Sequence, residues 1–292
     1  MKTTNLVPSL HLLSNGLEIP SLGYGTYKTP TSDEGLQMIK NAVEVGYRHI
    51  DTAQGYKNEN LVGQAIRESG LPREDFWVTS KLANTNQGYS ETKDAINSSL
   101  TELGFDYIDL YLIHWPIAPG HKKDWKQRIQ SSWKAMEEAY RVGKLKAIGV
   151  SNFLPHHLDA LLETAEIIPM VNQIEFHPKY QQQEVLKYCS KKNILIESWG
   201  PLMRGKAFDE PVLVKLSEKS GHTIAQLLLR YCLENNILPL QKTSKKERMV
   251  ENAQIFNFNL SNEELSILDN MNTTTAYTLH PDTPDEWVIP TK

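Results

Sequence analysis

Four side chains that can take part in acid–base chemistry follow successive apolar runs of this sequence. Asp51 ends the run that begins at Tyr47, and Tyr56 lies five residues later on a loop. Lys81 is the second-last residue of the run WVTSKL, and His114 is the last residue of the run YLIH. A carboxylate, a phenol, an amine and an imidazole are the groups that transfer protons in enzymes. Each residue alone is a weak signal, so the argument depends on all four occurring at the same kind of position.

The elements that would position these residues alternate between strand and helix from Leu22 to about Phe256. Several predicted strands are nearly continuous apolar runs, which is typical of parallel strands covered on both faces. The eight predicted strands begin near Leu22, Tyr47, Phe76, Tyr107, Leu145, Met170, Ile194 and Ile237. They predict an α/β fold, a closed (β/α)8 TIM barrel with catalytic groups at the carboxyl ends of its strands. An open doubly wound sheet is the alternative, but Gly23-Tyr24-Gly25 lacks the third glycine of a dinucleotide fingerprint.

Two further elements are predicted outside the eight strand–helix units. The segment LHLLSNGLEIP, with Asn15-Gly16 at its centre, predicts an N-terminal β-hairpin with a type I′ turn. We expect this hairpin to cover the amino-terminal mouth of the barrel. Near the other end, SNEELSILDNM predicts an extra C-terminal helix that begins with a capping box from Ser261 to Glu264. A similar box, formed by Thr31 and Glu34, is predicted for the first helix.

Composition restricts the class of protein. The chain has 292 residues, of which 40% are hydrophobic and 23% charged, and no linker divides it, so we expect one domain over residues 1–292. Its net charge of -4 gives no reason to expect nucleic acid or an anionic membrane as a partner. The sequence contains neither a secretory signal nor an apolar run of the ~18 residues that span a membrane. We therefore expect a cytoplasmic protein and a monomer.

The cysteines and histidines show no metal-binding pattern. Cys189 and Cys232 each lack a second Cys or a His at ligand spacing, which predicts neither a disulfide nor a Cys-based metal site. His156 and His157 are adjacent at the start of a predicted helix, where we expect them to point in different directions. The prediction is that the protein binds no metal.

The segments that surround these residues resemble the aldo-keto reductase family, from about His11 to Met271. In the family's order, the matching segments are LGYGTYK, GYRHIDTAQGYKNE, FWVTSKL, DLYLIHWP, IGVSNF, MVNQIEFHP, ESWGPL and KTSKKERMVEN. Among members, the chain is most similar to bacterial reductases of small carbonyls, such as 2,5-diketogluconate, glyoxal and methylglyoxal reductases. The resemblance implies a barrel that binds NADP(H) without a Rossmann fold. It also implies reduction of an aldehyde or ketone, a small-molecule carbonyl substrate, to an alcohol.

The resemblance implies a role for each of the four residues. Tyr56 matches the family's proton donor, and the ammonium of Lys81 is expected to lower the pKa of that phenol. Asp51 is expected to pair with Lys81 and hold it in position. His114 is expected to donate a hydrogen bond to the substrate carbonyl. With a hydride arriving from nicotinamide, the developing alkoxide takes its proton from Tyr56.

The resemblance also implies the cofactor-binding residues. Ser151, Asn152 and Gln173 match residues that hydrogen-bond the nicotinamide carboxamide, and Trp199 matches a ring that stacks on nicotinamide. The basic segment KTSKKERMVEN opens a helix, and it implies NADP rather than NAD because cations and backbone N–H groups would converge on the 2′-phosphate. Glu251 and Asn252, at the end of this segment, are expected to face the adenine of the cofactor. The full implied set is Gly25, Thr26, Asp51, Ser151, Asn152, Gln173, Trp199, Gly200, Pro201, Leu202, Lys242, Thr243, Ser244, Arg248, Glu251 and Asn252.

The substrate pocket is expected to be lined by Tyr27, Tyr56, His114 and Trp115, with Trp77 as a further candidate. The short tail after Met271 is expected to form part of the pocket wall.

Two residues depart from the family's pattern. Gly200 replaces a Ser that is common in this segment, and Gln241 replaces the usual Pro before Lys242. Restoring a Ser at position 200 is expected to tighten NADPH by about 0.5–1.5 kcal/mol, one net hydrogen bond, provided that Gly200 has a negative φ.

Two other functions stay open at this point. The first is a non-catalytic, NADP-binding regulatory barrel that resembles potassium-channel β subunits. All four acid–base residues are present and no long partner-binding extension is visible, which disfavours it. The second is a barrel lyase in which Lys81 forms a Schiff base, which the neighbouring Asp51 disfavours. Oxidation of NADPH by a simple aldehyde would separate the reductase from the regulatory barrel.

Overall fold

The computed structural model describes residues 9–274 and 276–283, and its central feature is a closed barrel of eight parallel strands. The strands are β1 (Leu10–Leu12), β2 (Glu18–Pro20), β3 (Gly23–Gly25), β4 (His49–Asp51), β5 (Trp77–Leu82), β6 (Ile108–Ile113), β7 (Leu145–Ser151), β8 (Val171–Glu175), β9 (Leu195–Trp199) and β10 (Ile237–Gln241). Strands β3 to β10 pair in sequence order, and β10 closes the barrel on β3. The predicted TIM barrel is confirmed, with its eight strands at the predicted places.

Helices surround the barrel and shield the outer faces of its strands. In the described part of the chain they are α1 (Asp33–Val45), α2 (Glu59–Glu68), α3 (Tyr89–Leu103), α4 (Trp125–Arg141), α5 (Pro155–Leu162), α6 (Gln183–Lys191), α7 (Pro211–Ser220), α8 (Ile224–Glu234), α9 (Lys246–Ala253) and α10 (Asn262–Asp269). The helix α10 is the predicted extra C-terminal helix. None of the helices described has both the length and the apolar character needed to cross a bilayer.

Burial on two sides explains why the strands are apolar. Every residue of β5 and β6 is buried, because alternate side chains point into the barrel and outward against the helices. On α8, Leu227, Leu228 and Tyr231 lie on one face of the helix and are buried against the barrel. The helices therefore complete one continuous core around the strands.

Strand register brings the predicted site residues to neighbouring strand ends. Asp51 is paired with Gly25 of the preceding strand, and Ser151 is paired with Gln173 of the following one. Trp199 lies beside Glu175 in the same ladder. Parallel strands all end on the same side of a barrel, so these residues border one opening at its carboxyl-terminal face.

The N-terminal hairpin forms as predicted, but its turn differs. Only Gly16 has a positive φ (85°), whereas a type I′ turn requires positive φ at Asn15 as well. The Gly16 N–H donates to Leu13 O (2.9 Å), and the Leu13 N–H donates to Leu17 O (2.8 Å). This pattern is a type I turn followed by a left-handed glycine. The side chain of Asn15 donates to the carbonyl of Lys146 (3.0 Å) near the start of β7, so the hairpin lies at the amino-terminal mouth.

The two predicted capping boxes have different outcomes. At α10, the Ser261 hydroxyl accepts from the Glu264 N–H (3.3 Å) and the Glu264 carboxylate accepts from the Ser261 N–H (2.7 Å), which confirms the box. The box of Thr31 and Glu34 is wrong, because α1 begins after Ser32 and has no side-chain cap. The physical reason is a shift of one residue. The Leu36 N–H donates to the Ser32 carbonyl oxygen (3.0 Å), so Ser32 is the N-cap and the N3 position is Gly35, which has no side chain to close a box.

The two helix starts provide a matched test of capping. We expect Ser261→Ala to lower the free energy of unfolding by about 0.5–2 kcal/mol, since it removes an acceptor for the N–H groups of the first turn. The control is Ser32→Ala, at an N-cap whose side chain makes no capping hydrogen bond. Urea denaturation should show little change for that control. Equal losses in the two variants would contradict the assignment of the cap.

Candidate active site

A buried ion pair lies where β4 and β5 end. The ammonium of Lys81 donates to both carboxylate oxygens of Asp51, each at 2.6 Å, and to the carbonyl oxygen of Thr52 at 2.9 Å. Lys81 is fully buried and Asp51 is nearly so. All three ammonium hydrogens therefore have acceptors, and the charge of Lys81 is compensated directly by Asp51.

Tyr56 and His114 lie over this pair. Tyr56 ends a short 3₁₀ turn at Gln54–Tyr56, and its ring centroid is 5.2 Å from Lys81 Nζ. The ring of His114 meets that of Tyr56 edge-on, with centroids 5.6 Å apart. Tyr56 and His114 are largely buried but keep some exposure, whereas the ion pair below them is almost completely buried. The structure thus brings together the four residues that the sequence singled out.

The pKa of Tyr56 differs from the expectation. Burial first, and then the charge of Asp51 and the neighbouring Tyr27, raise the pKa of the phenol well above its usual value, with Arg204 acting in the opposite direction. The predicted lowering of this pKa by Lys81 is wrong for the protein without ligands. The reason is that burial disfavours the phenolate most, and that Asp51, which is paired with Lys81, adds a negative charge that raises the pKa further. Tyr56 is therefore a neutral phenol with a proton to donate at neutral pH.

His114 is held in its neutral form. Burial first, and the charge of Lys81 second, lower the pKa of His114 to about 3. A neutral imidazole keeps one ring N–H, so it can donate one hydrogen bond without introducing a charge. The backbone of His114 is fixed by Asn152, whose Nδ2 donates to the His114 carbonyl oxygen at 2.9 Å.

The residues predicted to bind a carboxamide form one connected group. Asn152 Nδ2 also donates to Ser151 Oγ (3.0 Å), and its Oδ1 accepts from Trp199 Nε1 (2.9 Å). The hydroxyl of Ser151 donates to the carbonyl oxygen of Gln173 (2.8 Å). Asn152 has a φ of 64°, a left-handed conformation that is uncommon for non-glycine residues and is often found at functional sites. The indole of Trp199 is consequently held in a fixed orientation by Asn152, the same side chain that bonds the His114 carbonyl oxygen.

Glu197 is a site residue that the sequence analysis missed. Gln173 Nε2 donates both to Asp51 Oδ2 (2.9 Å) and to Glu197 Oε2 (2.8 Å), so one amide bridges two carboxyl groups. Burial first, and the charge of Asp51 second, raise the pKa of Glu197 to about 8. A signal was available in the sequence, since an acidic residue interrupts the apolar run ILIESW of a predicted barrel strand.

Asn58 is a second missed residue, and it fixes the loop that carries Tyr56. Its side chain donates to the carbonyl oxygen of Thr26 (3.0 Å) and accepts from the hydroxyl of Thr52 (2.7 Å). Thr26 is further tied to the strand end, because its N–H donates to the Asp51 carbonyl oxygen (2.9 Å). Gly25 and Thr26 thus lie beside the backbone of Asp51.

The basic segment after β10 lies at the rim and is mostly exposed. Burial first, and the charge of Lys28 second, lower the pKa of Lys242. Arg248 is exposed and has no hydrogen-bond or ion-pair partner among the described residues. Lys246 instead forms an ion pair with Glu44 (2.6 Å). The exposed Ser244 lies in the same loop, where the hydroxyl of Thr243 accepts from the Lys245 N–H (3.2 Å).

The departure at Gln241 has a structural role. Gln241 is buried, and its Oε1 accepts from Asn252 Nδ2 at 3.0 Å. A proline at position 241 would lack this acceptor. Asn252 is buried in α9 and the adjacent Glu251 is partly exposed, so the two residues expected to face an adenine lie on the helix that follows the basic loop.

The aromatic residues predicted for a substrate pocket divide into two groups. Tyr27 is half exposed and its ring centroid lies 5.1 Å from that of Tyr56, at the mouth of the site. Trp115 is buried directly after His114, and its carbonyl oxygen accepts from Gln87 Nε2 (2.7 Å). Trp77 is a wrong candidate. It begins β5, so it lies at the amino-terminal end of the barrel, opposite the site.

Two histidines outside the site converge, contrary to expectation. The rings of His156 and His157 lie 4.0 Å apart, and the Nε2 atom of each is 2.9 Å from Asp282 Oδ1. The Leu154 N–H donates to His157 Nδ1 (3.1 Å), so the proton of the neutral ring is on Nε2 and faces the carboxylate. A metal would have to displace that proton. The expected absence of a metal stays a prediction, and Cys189 and Cys232 are buried free thiols.

The chain is similar to known proteins over most of its length. Residues 21–273 match the model of the Aldo/keto reductase family. A curated relative, the glyoxal reductase of Bacillus subtilis, is 45% identical over 260 residues, which is 89% of this chain and 91% of that protein.

Solved structures show the same fold. An aldo-keto reductase enzyme from a Medee basin deep-sea metagenome library has a TM-score of 0.88 and 41% identity, covering 93% of this chain and 98% of its own. An aldo-keto reductase of Bombyx mori in complex with NADP has a TM-score of 0.85 and 32% identity, covering 95% of this chain and 97% of its own.

Gly200 generates a prediction that replaces the one made from sequence. Its φ is 67°, so the condition for a gain on restoring Ser is not met. A side chain there meets no atom within 4 Å, so steric space is not the obstacle. The strain lies in the backbone, and we expect Gly200→Ser and Gly200→Ala each to lower the free energy of unfolding by about 1–2 kcal/mol.

The control is Gly55→Ala, where the added Cβ also meets no atom and the glycine does not have a positive φ. Urea denaturation of the three variants separates the cost of the positive φ at Gly200 from the cost of adding a side chain at an open position. A Gly200→Ser protein as stable as the unsubstituted chain would contradict this account.

Proposed function

Because the chain belongs to the aldo/keto reductase family, we propose that it reduces aldehydes and ketones to alcohols, with NADPH as hydride donor and Tyr56 as proton donor. One observation carries the proposal. A protonated phenol and a neutral imidazole lie side by side over a buried Lys–Asp pair at the mouth of the barrel.

The chain's own residues account for the movement of the proton. Bound NADPH supplies the hydride. His114 donates a hydrogen bond to the carbonyl oxygen and orients it. Tyr56 transfers its proton to that oxygen as negative charge develops there. Lys81, 5.2 Å from the centre of the phenol ring, then stabilises the phenolate, and Asp51 keeps Lys81 in place.

Side chains at the nicotinamide end suit an amide-bearing ring. Both N–H groups of Gln173 are committed to carboxyl oxygens, so its Oε1 is the atom left to accept from a ligand amide. Trp199 is held through its Nε1, which leaves the flat face of the indole for stacking. Ser151 and Asn152 lie between them. Gly200, Pro201 and Leu202 follow directly on the chain and complete this wall.

The phosphate end suits an anion. The helix α9 begins at Lys246 without a side-chain cap, so its first N–H groups have no side-chain acceptor. Burial first, and the charge of Lys28 second, lower the pKa of Lys242, so two cations lie close together at this end of the site. Arg248 adds an exposed guanidinium that suits bidentate contact with phosphate. These groups support NADP rather than NAD, with Glu251 and Asn252 towards the adenine.

The proposed substrates are small carbonyl compounds. The relative from Bacillus subtilis is named as a glyoxal reductase, so glyoxal and methylglyoxal are the first compounds to test. Tyr27 and Trp115 are the proposed aromatic contacts beside Tyr56 and His114. A cytoplasmic monomer that binds no nucleic acid stays a prediction.

The lyase alternative is disfavoured by the geometry of Lys81. Schiff-base formation requires a neutral amine with a free lone pair. The Lys81 ammonium instead donates to three acceptors, and two of them are the carboxylate oxygens of Asp51. No observation among the described residues favours the regulatory barrel over an enzyme, and turnover of NADPH with an aldehyde separates the two.

Removing the Tyr56 hydroxyl tests the proton donor. We expect Tyr56→Phe to lower kcat about 10²-fold or more, because the reaction loses its general acid, while NADPH affinity stays nearly unchanged. The matched control is Tyr27→Phe, which removes a phenol from the ring next to Tyr56. Kinetics of NADPH oxidation and titration by tryptophan fluorescence measure the two quantities. Unchanged kcat in Tyr56→Phe would rule out the assignment.

Removing Arg248 tests the choice of cofactor. We expect Arg248→Ala to weaken NADPH binding by about 1.5–3 kcal/mol, the range for hydrogen bonds to charged groups, and to leave NADH binding nearly unchanged. Lys246→Ala is the control, because Lys246 is paired with Glu44 and should matter less for either cofactor. Equal weakening of NADPH and NADH in Arg248→Ala would show that this residue does not select the 2′-phosphate.

A further inference from the structure

The interior of the barrel below the proposed catalytic residues holds a second carboxyl group. Glu197 projects from β9, is fully buried, and shares the amide of Gln173 with Asp51. The distances from Gln173 Nε2 are 2.8 Å to Glu197 and 2.9 Å to Asp51. A single NH₂ group therefore links the two acids across the barrel.

The charged and titratable groups that face Glu197 cannot compensate two carboxylates. They are Asp51 and His49 from β4 and Lys81 from β5. Lys81 directs its hydrogens to Asp51 and Thr52, so none is left for Glu197.

His49 offers no compensating charge either. Burial first, and the charge of Lys81 second, lower the pKa of His49 to about 3, so this ring is neutral. Its Nε2 lies 3.9 Å from Glu197 Oε1, beyond hydrogen-bond range, and 3.0 Å from the hydroxyl of Thr79. Among the described residues, Glu197 Oε1 has no hydrogen-bond partner. An ionised Glu197 would thus be a buried charge whose nearest cation, Lys81, is already paired with Asp51, which is unfavourable.

We propose that Glu197 is a positioning residue of this active site, which as a neutral acid holds the Asp51 carboxylate against Lys81 through the amide of Gln173. The inference rests on the proposed function, because it concerns the ion pair that supports Tyr56. A neutral Glu197 accepts from Gln173 and leaves Asp51 as the one anion in contact with Lys81. An ionised Glu197 competes with Asp51 for both the amide and the ammonium, and so disturbs the support of the phenol.

This arrangement has a consequence for pH dependence. The pKa of Glu197 is raised to about 8 by burial and by the charge of Asp51, so its proton is lost as the pH rises through that value. The added negative charge also disfavours the phenolate that Tyr56 becomes after proton transfer. Reductase activity is therefore expected to fall on the alkaline side of about pH 8 through Glu197.

The experiment compares pH profiles of kcat/KM for the unsubstituted chain, Glu197→Gln and Glu59→Gln. Gln keeps the size and the acceptor oxygen of Glu197 but cannot ionise. Glu59 is a buried carboxyl group that is bonded to Ser80 rather than to Gln173, so it serves as the matched control. In the unsubstituted chain and in Glu59→Gln, kcat/KM should fall about tenfold per pH unit above about pH 8, which is the slope of one ionisation. Glu197→Gln should lack this alkaline decline in kcat/KM. An alkaline decline that persists in Glu197→Gln would overturn the proposal.

A second measurement does not depend on catalysis. A protonated buried carboxyl group has an infrared C=O stretch that disappears on ionisation. We expect such a band at neutral pH in the unsubstituted chain, titrating with a midpoint near 8, and absent from Glu197→Gln. The titration of the unsubstituted chain is informative even where the variant does not fold. If the band is missing, Glu197 is not protonated at neutral pH and the proposal for Glu197 is overturned. If the band titrates but the chain reduces no carbonyl compound, the proposed function is refuted instead.

Discussion

The buried pair of Lys81 and Asp51 is the interaction on which the rest of the site depends. Moving a charge out of water costs several kcal/mol per ion even after relaxation, and the pair tolerates this cost because all three ammonium hydrogens have acceptors. Losing one partner of such a pair costs about 3–5 kcal/mol, since the other charge is left uncompensated. The loop of Tyr56, the amide of Gln173 and the turn at Thr26 are all attached to Asp51, directly or through one residue. Asp51 therefore orients Lys81 and Gln173 through its carboxylate and the turn at Thr26 through its backbone carbonyl.

Strand register explains how the barrel places these groups. Asp51 is paired with Thr79, and Lys81 lies two residues further along β5, on the same inward face. Below them, His49 of β4 contacts the Thr79 hydroxyl, so the inward residues of the two strands form successive layers. Across the barrel, Gln173 and Glu197 are register partners on β8 and β9. A polar layer assembled from four strands thus replaces the apolar filling that a barrel interior usually has.

Sequence patterns predicted the elements and the four acid–base residues because both signals are local. An apolar run followed by a polar residue marks a strand end, and all strand ends of a parallel barrel meet on one face. The failures involve contacts between distant segments. The side chain of Asn15 in the turn bonds the carbonyl of Lys146, and the pKa of Tyr56 depends on its burial and on the charge of Asp51. Glu197 was missed for the same reason, since only the fold reveals that Gln173 connects it to Asp51.

The two ends of the proposed cofactor site follow opposite electrostatic rules. At the proposed nicotinamide end Asn152 and Gln173 are buried, and their side chains donate to Ser151 and Asp51 respectively, so this region is preorganised and little affected by salt. At the phosphate end Arg248 is exposed, and its attraction for an anion acts through water, where charges are screened over about 8–10 Å at physiological ionic strength. In the proposed function, the rim thus contributes mainly to cofactor affinity, and the interior mainly to the alignment of the reacting groups. Substitutions in the two regions should therefore separate binding from turnover, because the ion pair that supports Tyr56 has no direct contact with the basic loop.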